Sequence, residues 1–229
     1  MDFRFPFTRV AAVAAALFLG AQAYAQNADD ELLHQHLKPE VANMIARLQT
    51  GGHVLVIRHE RTNAYIPDQP DYQVENCATQ RNLSVAGAAN AVENGGVILR
   101  FLEIPIGNVL ASPMCRTLET GRLMFGDVTA NPALQGYGQE PEMVRAEFEQ
   151  LIIDGAGQPE NTALITHLGT FTFVNGGHLA EGDAAVFSVQ DGAPVQIGTI
   201  PANAWNDAVI DASMRARNMD ANDHSHDHH

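Results

Sequence analysis

The chain has 229 residues, with 13 Lys and Arg against 27 Asp and Glu, and a formal net charge of −14 at pH 7. Such an acidic chain, without a basic stretch, repels the phosphate backbone of nucleic acids and anionic membrane surfaces, so we expect neither as a partner. Lys38 is the only lysine. The other cations are arginines, whose forked guanidinium groups suit phosphate and carboxylate oxygens.

Residues 1–25 have the pattern of a secretory signal peptide. Arg4 and Arg9 give a basic start, and the apolar run 10–20 is too short to cross a bilayer comfortably. Small residues at Ala23 and Ala25 form a cleavage site. Cleavage after Ala25 removes two arginines and one aspartate, which leaves 11 basic and 26 acidic residues and a net charge of −15. We expect a soluble periplasmic or extracellular protein; the alternative is an uncleaved N-terminal anchor.

The remaining chain, about 200 residues, suits a single α/β domain. We assign 26–52 to an N-terminal lead-in and helix and 53–201 to the domain. Residues 202–229 form a C-terminal segment with a His-rich disordered tail.

The first half of the domain alternates helix and strand patterns. Apolar spacing predicts a helix over 39–48, and a β-branched run predicts a buried strand over 54–57. A polar loop follows over 61–82. Ser84 is placed to cap a helix that runs to about Phe101, weakened in its middle by Gly95-Gly96.

The second half continues the alternation. Its predicted elements, in order, are a strand at 108–111, a helix capped by Ser112 with Pro113 in its first turn, a loop at 132–139, a helix at 141–153, and strands at 162–166, 184–189 and 195–200. Met143, Phe148, Leu151 and Ile152 form the predicted apolar face of the helix at 141–153. Asp191-Gly192 makes the last turn. The pattern predicts a three-layer α/β/α fold with a mostly parallel central sheet.

Polar residues follow three of the predicted strands directly. Arg58 and His59 end the first strand, Arg116 comes shortly after the second, and His167 follows the third. The carboxyl ends of the strands form the ligand crevice in open α/β sheets. Two arginines and two histidines that meet there would make a cationic site suited to phosphoryl oxygens. Taken one at a time, these residues also fit a helix cap and a buried core histidine.

These blocks resemble the histidine phosphatase superfamily, in its phosphoglycerate-mutase-like branch. Leu55–Thr62 (LVIRHERT) resembles the Arg-His-Gly signature, with Glu60 where many members have glycine. Three further blocks follow in the family's order: Gln80–Ala91, Val109–Gly126 and Leu164–Gly169. A fifth, EGDAAVF (Glu181–Phe187), resembles the family's Gly-Glu strand start. The resemblance spans about 54–201.

The resemblance implies the roles of the site residues. His59 matches the nucleophile that forms a phosphohistidine intermediate. Arg58 and Arg116 match the arginines that bind the phosphoryl oxygens, and His167 matches the second pocket histidine. We add Thr62 and Arg81 as substrate-binding residues, and we expect no cofactor and no catalytic metal.

The proton donor to the leaving group is left open. Many family members carry it as the glutamate of a Leu-x-Glu, but here Leu134 is followed by Gln135-Gly136. Four carboxylic acids remain as candidates: Glu140, Glu119, Asp68 and Asp71.

The two cysteines, Cys77 and Cys115, are an even number in a chain predicted to leave the cytosol. A single disulfide is therefore expected. Two buried free thiols are the alternative.

The function predicted from these features is hydrolysis of phosphomonoesters by an exported, metal-independent histidine phosphatase. Its partner is a small phosphorylated molecule, which the sequence does not identify further, and the oligomeric state is left open. One alternative is a phosphate-binding or regulatory module with weak or no turnover. Another is a metal-handling protein that uses the His-rich tail at 224–229.

Overall fold

A mixed sheet of six strands lies at the centre of the protein, as seen in a computed structural model that describes residues 37–136, 138–175 and 177–223. The strands are β1 (Val54–Arg58), β2 (Ile106–Ala111), β3 (Thr129–Ala130), β4 (Asn161–Thr166), β5 (Ala184–Gln190) and β6 (Ala193–Ile200). Their order across the sheet is β3-β2-β4-β1-β5-β6. The first four strands are mutually parallel, whereas β5 and β6 run antiparallel to their neighbours.

Six α-helices are described: α1 (Pro39–Gln49), α2 (Val85–Gly96), α3 (Cys115–Phe125), α4 (Pro141–Gly155), α5 (Leu168–Asn175) and α6 (Ala204–Asp223). Two short 3₁₀ turns lie at Cys77–Thr79 and Pro132–Leu134, and a π-helical turn at Val97–Phe101 continues α2. Pro39–Val209 form one compact unit. Within the described part of the chain, no helix has both the length and the apolar character of a membrane span.

Helices cover both faces of the sheet. On one face, Val56 and Leu164 belong to a buried cluster with Phe148 of α4 and Phe171 of α5. Ile165 follows Leu164 and points to the opposite face, because neighbouring side chains alternate along a strand. There it meets α3, where Gly121 lies against the Ile165 side chain.

Helices α2 and α3 pack closely enough to require a glycine between them. A Cβ atom at Gly95 would lie 2.2 Å from the backbone oxygen of Met124 in α3. The Gly95-Gly96 pair was predicted to weaken a long helix. In the structure the regular α-helix ends at Gly96, and Gly95 allows the contact with α3.

Much of the predicted architecture is confirmed. The three-layer α/β fold is present, with a sheet whose larger part is parallel. Helix α1 lies where a helix was predicted, and its apolar residues Val41, Met44, Ile45 and Leu48 are all buried. Ser84 accepts a hydrogen bond from the Gly87 N–H as the cap of α2. Asp191-Gly192 joins β5 to β6, with positive φ angles at both residues.

Two helix details were predicted wrongly. Helix α3 begins at Cys115 and is preceded by Met114, so Ser112 does not cap it. In α4 the buried stripe is Val144, Phe148 and Ile152, spaced four residues apart, whereas Met143 is 54% exposed. Because 3.6 residues make one turn, residue 143 lies about 100° away from 144 and points outwards.

Three elements were not predicted: β3, α5 and α6. Strand β3 has only two residues, and α5 is short, without an amphipathic pattern in its sequence LGTFTFVN. Helix α6 begins within the segment 202–229, and the buried Trp205 anchors its first turn. The predicted signal peptide and the tail at 224–229 lie outside the described residues.

Candidate active site

The carboxyl ends of three neighbouring parallel strands bring the predicted histidines and arginines together. Arg58 is the last residue of β1, and both β1 and β2 pair with the central strand β4. His59 follows β1 and His167 follows β4; the centroids of their rings lie 5.5 Å apart. Arg116 reaches the same place from the first turn of α3. The convergence inferred from the strand ends is present, and the roles of the residues remain predictions.

His59 is a buried imidazole with a defined tautomer. Its exposed fraction is 1%, and its Nδ1 atom lies 2.9 Å from the backbone oxygen of Glu60. A carbonyl oxygen only accepts hydrogen bonds, so Nδ1 carries the proton and Nε2 keeps its lone pair. The tautomer therefore leaves Nε2 as the nucleophilic nitrogen.

The surroundings of His59 keep it uncharged at neutral pH. Burial is the main cause that lowers its pKa from 6.5 to about 3. The Glu60 carbonyl opposes the shift, whereas the positive charges of Arg116, Arg58 and Arg81 add to it. Glu181 Oε1 lies 3.9 Å from Nδ1. Because the imidazole is neutral at pH 7, this approach is not an ion pair there.

The backbone that holds His59 is fixed from several sides. The His59 N–H donates to the Thr166 carbonyl on β4, and the Glu60 N–H donates to the Thr120 hydroxyl on α3. The Glu60 side chain is buried, and burial raises its pKa. It accepts a hydrogen bond from Asn94, which lies on α2.

Gly182 makes room for this carboxyl group. A Cβ atom there would lie 2.8 Å from Glu60 Oε1, and the φ angle of Gly182 is +85°. The absence of a side chain at Gly182 thus leaves space for the buried Glu60 carboxyl group.

Arg116 is almost completely buried, with a side chain 1% exposed. Its Nη1 atom donates to both carboxylate oxygens of Asp68, at 3.1 and 3.4 Å. Its Nε atom is buried without a hydrogen-bond partner among the described residues. A buried guanidinium with a donor still available is suited to bind a further anionic oxygen.

His167 lies on the other side of the site, buried to 2% exposure. Its Nε2 atom is 2.9 Å from the Ser112 hydroxyl. Burial is the main cause that lowers its pKa well below 6.5, and the charge of Arg116 adds to it. Ser112, predicted as a helix cap, therefore contacts the second histidine of the site.

Glu181 is a site residue that the sequence prediction did not name as such. It accepts a hydrogen bond from the Thr62 hydroxyl at 2.8 Å and lies 3.4 Å from Nη1 of Arg81. Arg81 also donates to the Thr62 hydroxyl, and Arg58 Nη2 lies 3.7 Å from Glu181. Thr62 and Arg81, predicted to bind substrate, thus form a polar network with Arg58 around one carboxylate. The only sequence signal for Glu181 was its position at the start of the block EGDAAVF.

The four candidate acids occupy different positions. Asp68 contacts Arg116, and its Oδ1 atom also accepts a hydrogen bond from the Arg81 backbone N–H at 2.8 Å. Glu119, Glu140 and Asp71 are exposed. Glu140 directly precedes α4, where it is the N-cap residue by position, without a capping side-chain hydrogen bond. The structure thus places Asp68 in the site.

The loop that carries Asp68 is attached beside Arg116. Cys77 and Cys115 lie at disulfide distance, with Cα atoms 5.6 Å apart. The buried Gln80 accepts from the Cys115 N–H and donates to the carbonyls of Gln73 and Val74. Both contacts hold the loop 61–82 against the start of α3.

No protein-family model matches this sequence, and no curated protein does. Solved structures do match. One match is a mutant of the phosphoserine phosphatase of Entamoeba histolytica in complex with phosphoserine. The alignment covers 66% of this chain and 98% of the phosphatase chain, with 16% identity and a TM-score of 0.51. The same phosphatase in complex with 3-phosphoglyceric acid covers 67% and 98%, with 16% identity and a TM-score of 0.50. The protein histidine phosphatase SixA in complex with tungstate covers 66% and 97%, with 17% identity and a TM-score of 0.47.

At this level of identity the likeness concerns the fold, because one fold supports many functions. The first two matches cover nearly the whole of the phosphatase chain, so the likeness concerns the domain as a whole. The chain therefore has a phosphoglycerate-mutase-like α/β fold, which it shares with the phosphoserine phosphatase of Entamoeba histolytica.

Proposed function

We propose that the protein is a phosphatase that hydrolyses small phosphomonoesters through a phosphohistidine on His59. The observation that carries this proposal is the state of His59. Its ring is neutral, its Nδ1 proton is held by the Glu60 carbonyl, and its Nε2 lone pair is available for attack on phosphorus.

In the first step, the phosphoryl oxygens bind to Arg58, Arg116 and His167. His59 Nε2 forms a bond to phosphorus while the ester P–O bond breaks and the leaving oxygen takes up a proton. In the second step, water attacks the phosphohistidine, the N–P bond breaks, and inorganic phosphate leaves. Such a two-step displacement replaces one difficult transfer with two easier ones.

The electrostatics of the site support both binding and attack. The charges of Arg116, Arg58 and Arg81 contribute to the lowered pKa of His59. The same positive charges attract the phosphoryl dianion and stabilise the charge on its equatorial oxygens during transfer. A nucleophile that is unprotonated at pH 7 can react without first losing a proton.

The test is transfer of phosphate to His59. Purified protein mixed with a labelled phosphomonoester and quenched during turnover should carry acid-labile, base-stable label on the peptide containing His59. His59→Ala should lose the label and at least about 10³-fold in turnover, because the reaction has no other route of comparable efficiency.

His53→Gln is the matched control. His53 precedes β1, at the opposite end of the strand from His59, so the variant should keep label and turnover. Full activity in His59→Ala would refute the assignment of the nucleophile. Tight binding of phosphate without turnover in the unmodified protein would favour the regulatory module.

We further propose that the enzyme acts in the periplasm or outside the cell. The support comes from the basic start, the short apolar run and the Ala23–Ala25 cleavage pattern in the sequence. The pairing of Cys77 with Cys115 is in keeping with an oxidising compartment.

A further inference from the structure

The proposed reaction leaves one group unassigned, the acid that gives a proton to the leaving oxygen. An alkoxide is a poor leaving group, and a positioned general acid contributes about 10²–10⁴-fold to its expulsion. We propose that Asp68 is this acid, and that the substrate's phosphoryl group displaces its carboxylate from Arg116. This inference rests on the proposed phosphatase function.

Asp68 occupies the place where an incoming phosphoryl group would bind. Its two carboxylate oxygens lie 3.1 and 3.4 Å from Arg116 Nη1. The Asp68 side chain is 29% exposed, whereas that of Arg116 is 1% exposed. The carboxylate is therefore in contact with solvent, whereas the guanidinium that it binds is not, and an anion from solvent can exchange with it.

The exchange of anions on Arg116 explains how Asp68 would gain its proton. In the free protein the positive charge of Arg116 is balanced by the Asp68 carboxylate. A phosphoryl dianion bound to the same guanidinium is a like charge beside Asp68, and like charges favour protonation of one of the pair. The Arg81 backbone N–H, 2.8 Å from Asp68 Oδ1, keeps the side chain at the site during the exchange.

The other two carboxyl groups of the site, Glu181 and Glu60, are less suited to protonate the leaving oxygen. In an in-line transfer the leaving oxygen lies on the far side of phosphorus from His59 Nε2. Glu181 contacts the Nδ1 edge of the same ring, at 3.9 Å. Glu181 therefore lies on the far side of the nucleophile from the leaving group. The Glu60 side chain is buried and accepts a hydrogen bond from Asn94.

Over the two steps, Asp68 gives up one proton and takes up one proton. Protonated Asp68 gives its proton to the leaving oxygen as the ester P–O bond breaks and the bond from His59 Nε2 to phosphorus forms. The resulting carboxylate then accepts a proton from the water that attacks the phosphohistidine. Asp68 is protonated again when phosphate leaves, and the net reaction consumes one ester and one water.

The test compares Asp68→Asn with the unmodified protein on a series of phosphate esters of decreasing leaving-group acidity. For an alkyl phosphate such as glycerol phosphate, kcat should fall by about 10²–10⁴-fold. For p-nitrophenyl phosphate the loss should be under about tenfold, since that phenolate leaves with little help. The variant should also bind inorganic phosphate more tightly, because no carboxylate competes for Arg116.

Asp68→Glu, which keeps a carboxylic acid, should recover a large part of the alkyl phosphatase activity. Glu119→Gln, Glu140→Gln and Asp71→Asn are the controls, and these exposed residues should leave the leaving-group dependence unchanged. If Asp68→Asn does not fold, Asp68→Ser is measured in its place, with near-UV circular dichroism as the check of the fold.

An equal loss on alkyl and aryl esters, or no loss on either, would overturn the assignment of Asp68. In both cases the label on His59 would still support the phosphatase itself. If the unmodified protein hydrolyses none of the esters and carries no label, the proposed function fails, whatever Asp68 does.

Discussion

At the scale of single residues, burial decides the chemistry of the two histidines. Transfer of an imidazolium into a poorly solvated site costs free energy, so burial favours the neutral ring. For His59 the nearby arginines act in the same direction as burial, and the hydrogen bond to the Glu60 carbonyl opposes them only in part. The neutral state of the His59 ring is thus a consequence of where the chain places it.

We expect the imidazole of His59 to titrate with a pKa near 3 and to stay neutral from pH 5 to 8. Histidine NMR signals recorded against pH should show a resonance, absent in His59→Gln, that does not shift in this range. In urea the same signal should titrate near 6.5, the ordinary value. A midpoint between pH 6 and 7 in the folded protein would contradict this account.

The same pKa links the folding free energy to pH. In the unfolded chain His59 takes up a proton below about pH 6.5, whereas in the folded protein it does not until about pH 3. Protonation of His59 therefore does not affect the free energy of unfolding above pH 6.5. Between pH 6.5 and about 3 the free energy of unfolding decreases as the pH falls, because only the unfolded chain takes up this proton. The slope is at most about 1.4 kcal/mol per pH unit for one such group, and it should be absent in His59→Gln.

At the scale of elements, the loop 61–82 and helix α3 act as one unit of the site. The loop supplies Asp68 and α3 supplies Arg116. The Cys77–Cys115 pair and the Gln80 contacts lie beside them and restrict how far the two elements can separate. The geometry of the proposed acid therefore depends on contacts between these two elements.

We expect the double variant Cys77→Ser and Cys115→Ser to lower the free energy of unfolding by about 3–4 kcal/mol. The cysteines are 38 positions apart, and in a chain-entropy model closing a loop of this length restricts the unfolded state by that amount. Urea unfolding of both proteins measures the difference, with the unmodified protein in reductant as the control. Two thiols that can be alkylated in unreduced, denatured protein would show that no bridge exists.

At the scale of the whole molecule, the site is cationic although the chain is strongly acidic. The arginines meet where β1, β2 and β4 end, and they are largely covered by protein. Charges on the distant surface are screened over about 8 Å at physiological ionic strength, so the local arginines dominate the electrostatic field at the site. The fold thus separates the charge of the site from the charge of the surface.

We expect the exported protein to begin at Gln26, after cleavage behind Ala25. Fractionation of cells that express the full chain, followed by N-terminal sequencing and intact mass, tests this prediction. Ala25→Pro, which should block cleavage while it leaves the basic start and apolar run intact, is the matched variant. Recovery of the uncleaved chain in membranes from the unmodified sequence would favour the N-terminal anchor.

The sequence alone was sufficient to predict five of the six described sheet strands and the place of the site. Val54–Ile57 and Thr162–Thr166 are short apolar runs, and each is followed directly by a polar residue. Since these strands are parallel neighbours, their carboxyl ends lie side by side. His59 and His167 come together because each directly follows its own strand, and that position can be recognised in each segment of the sequence alone. The turn at Asp191-Gly192 was also local, because its residues tolerate positive φ.

The tertiary structure alone decided which carboxylates belong to the site. Asp68 is 48 positions from Arg116, and Glu181 is 119 positions from Thr62, so no pattern of spacing could connect them. It also decided that Ser112 contacts His167 instead of capping a helix. Ser112 can make either hydrogen bond, and the neighbouring strand, which carries His167 at its end, determines which one it makes. Local sequence determines strands, turns and the residues at their ends, whereas the partners of a charged side chain depend on contacts between segments far apart in the chain.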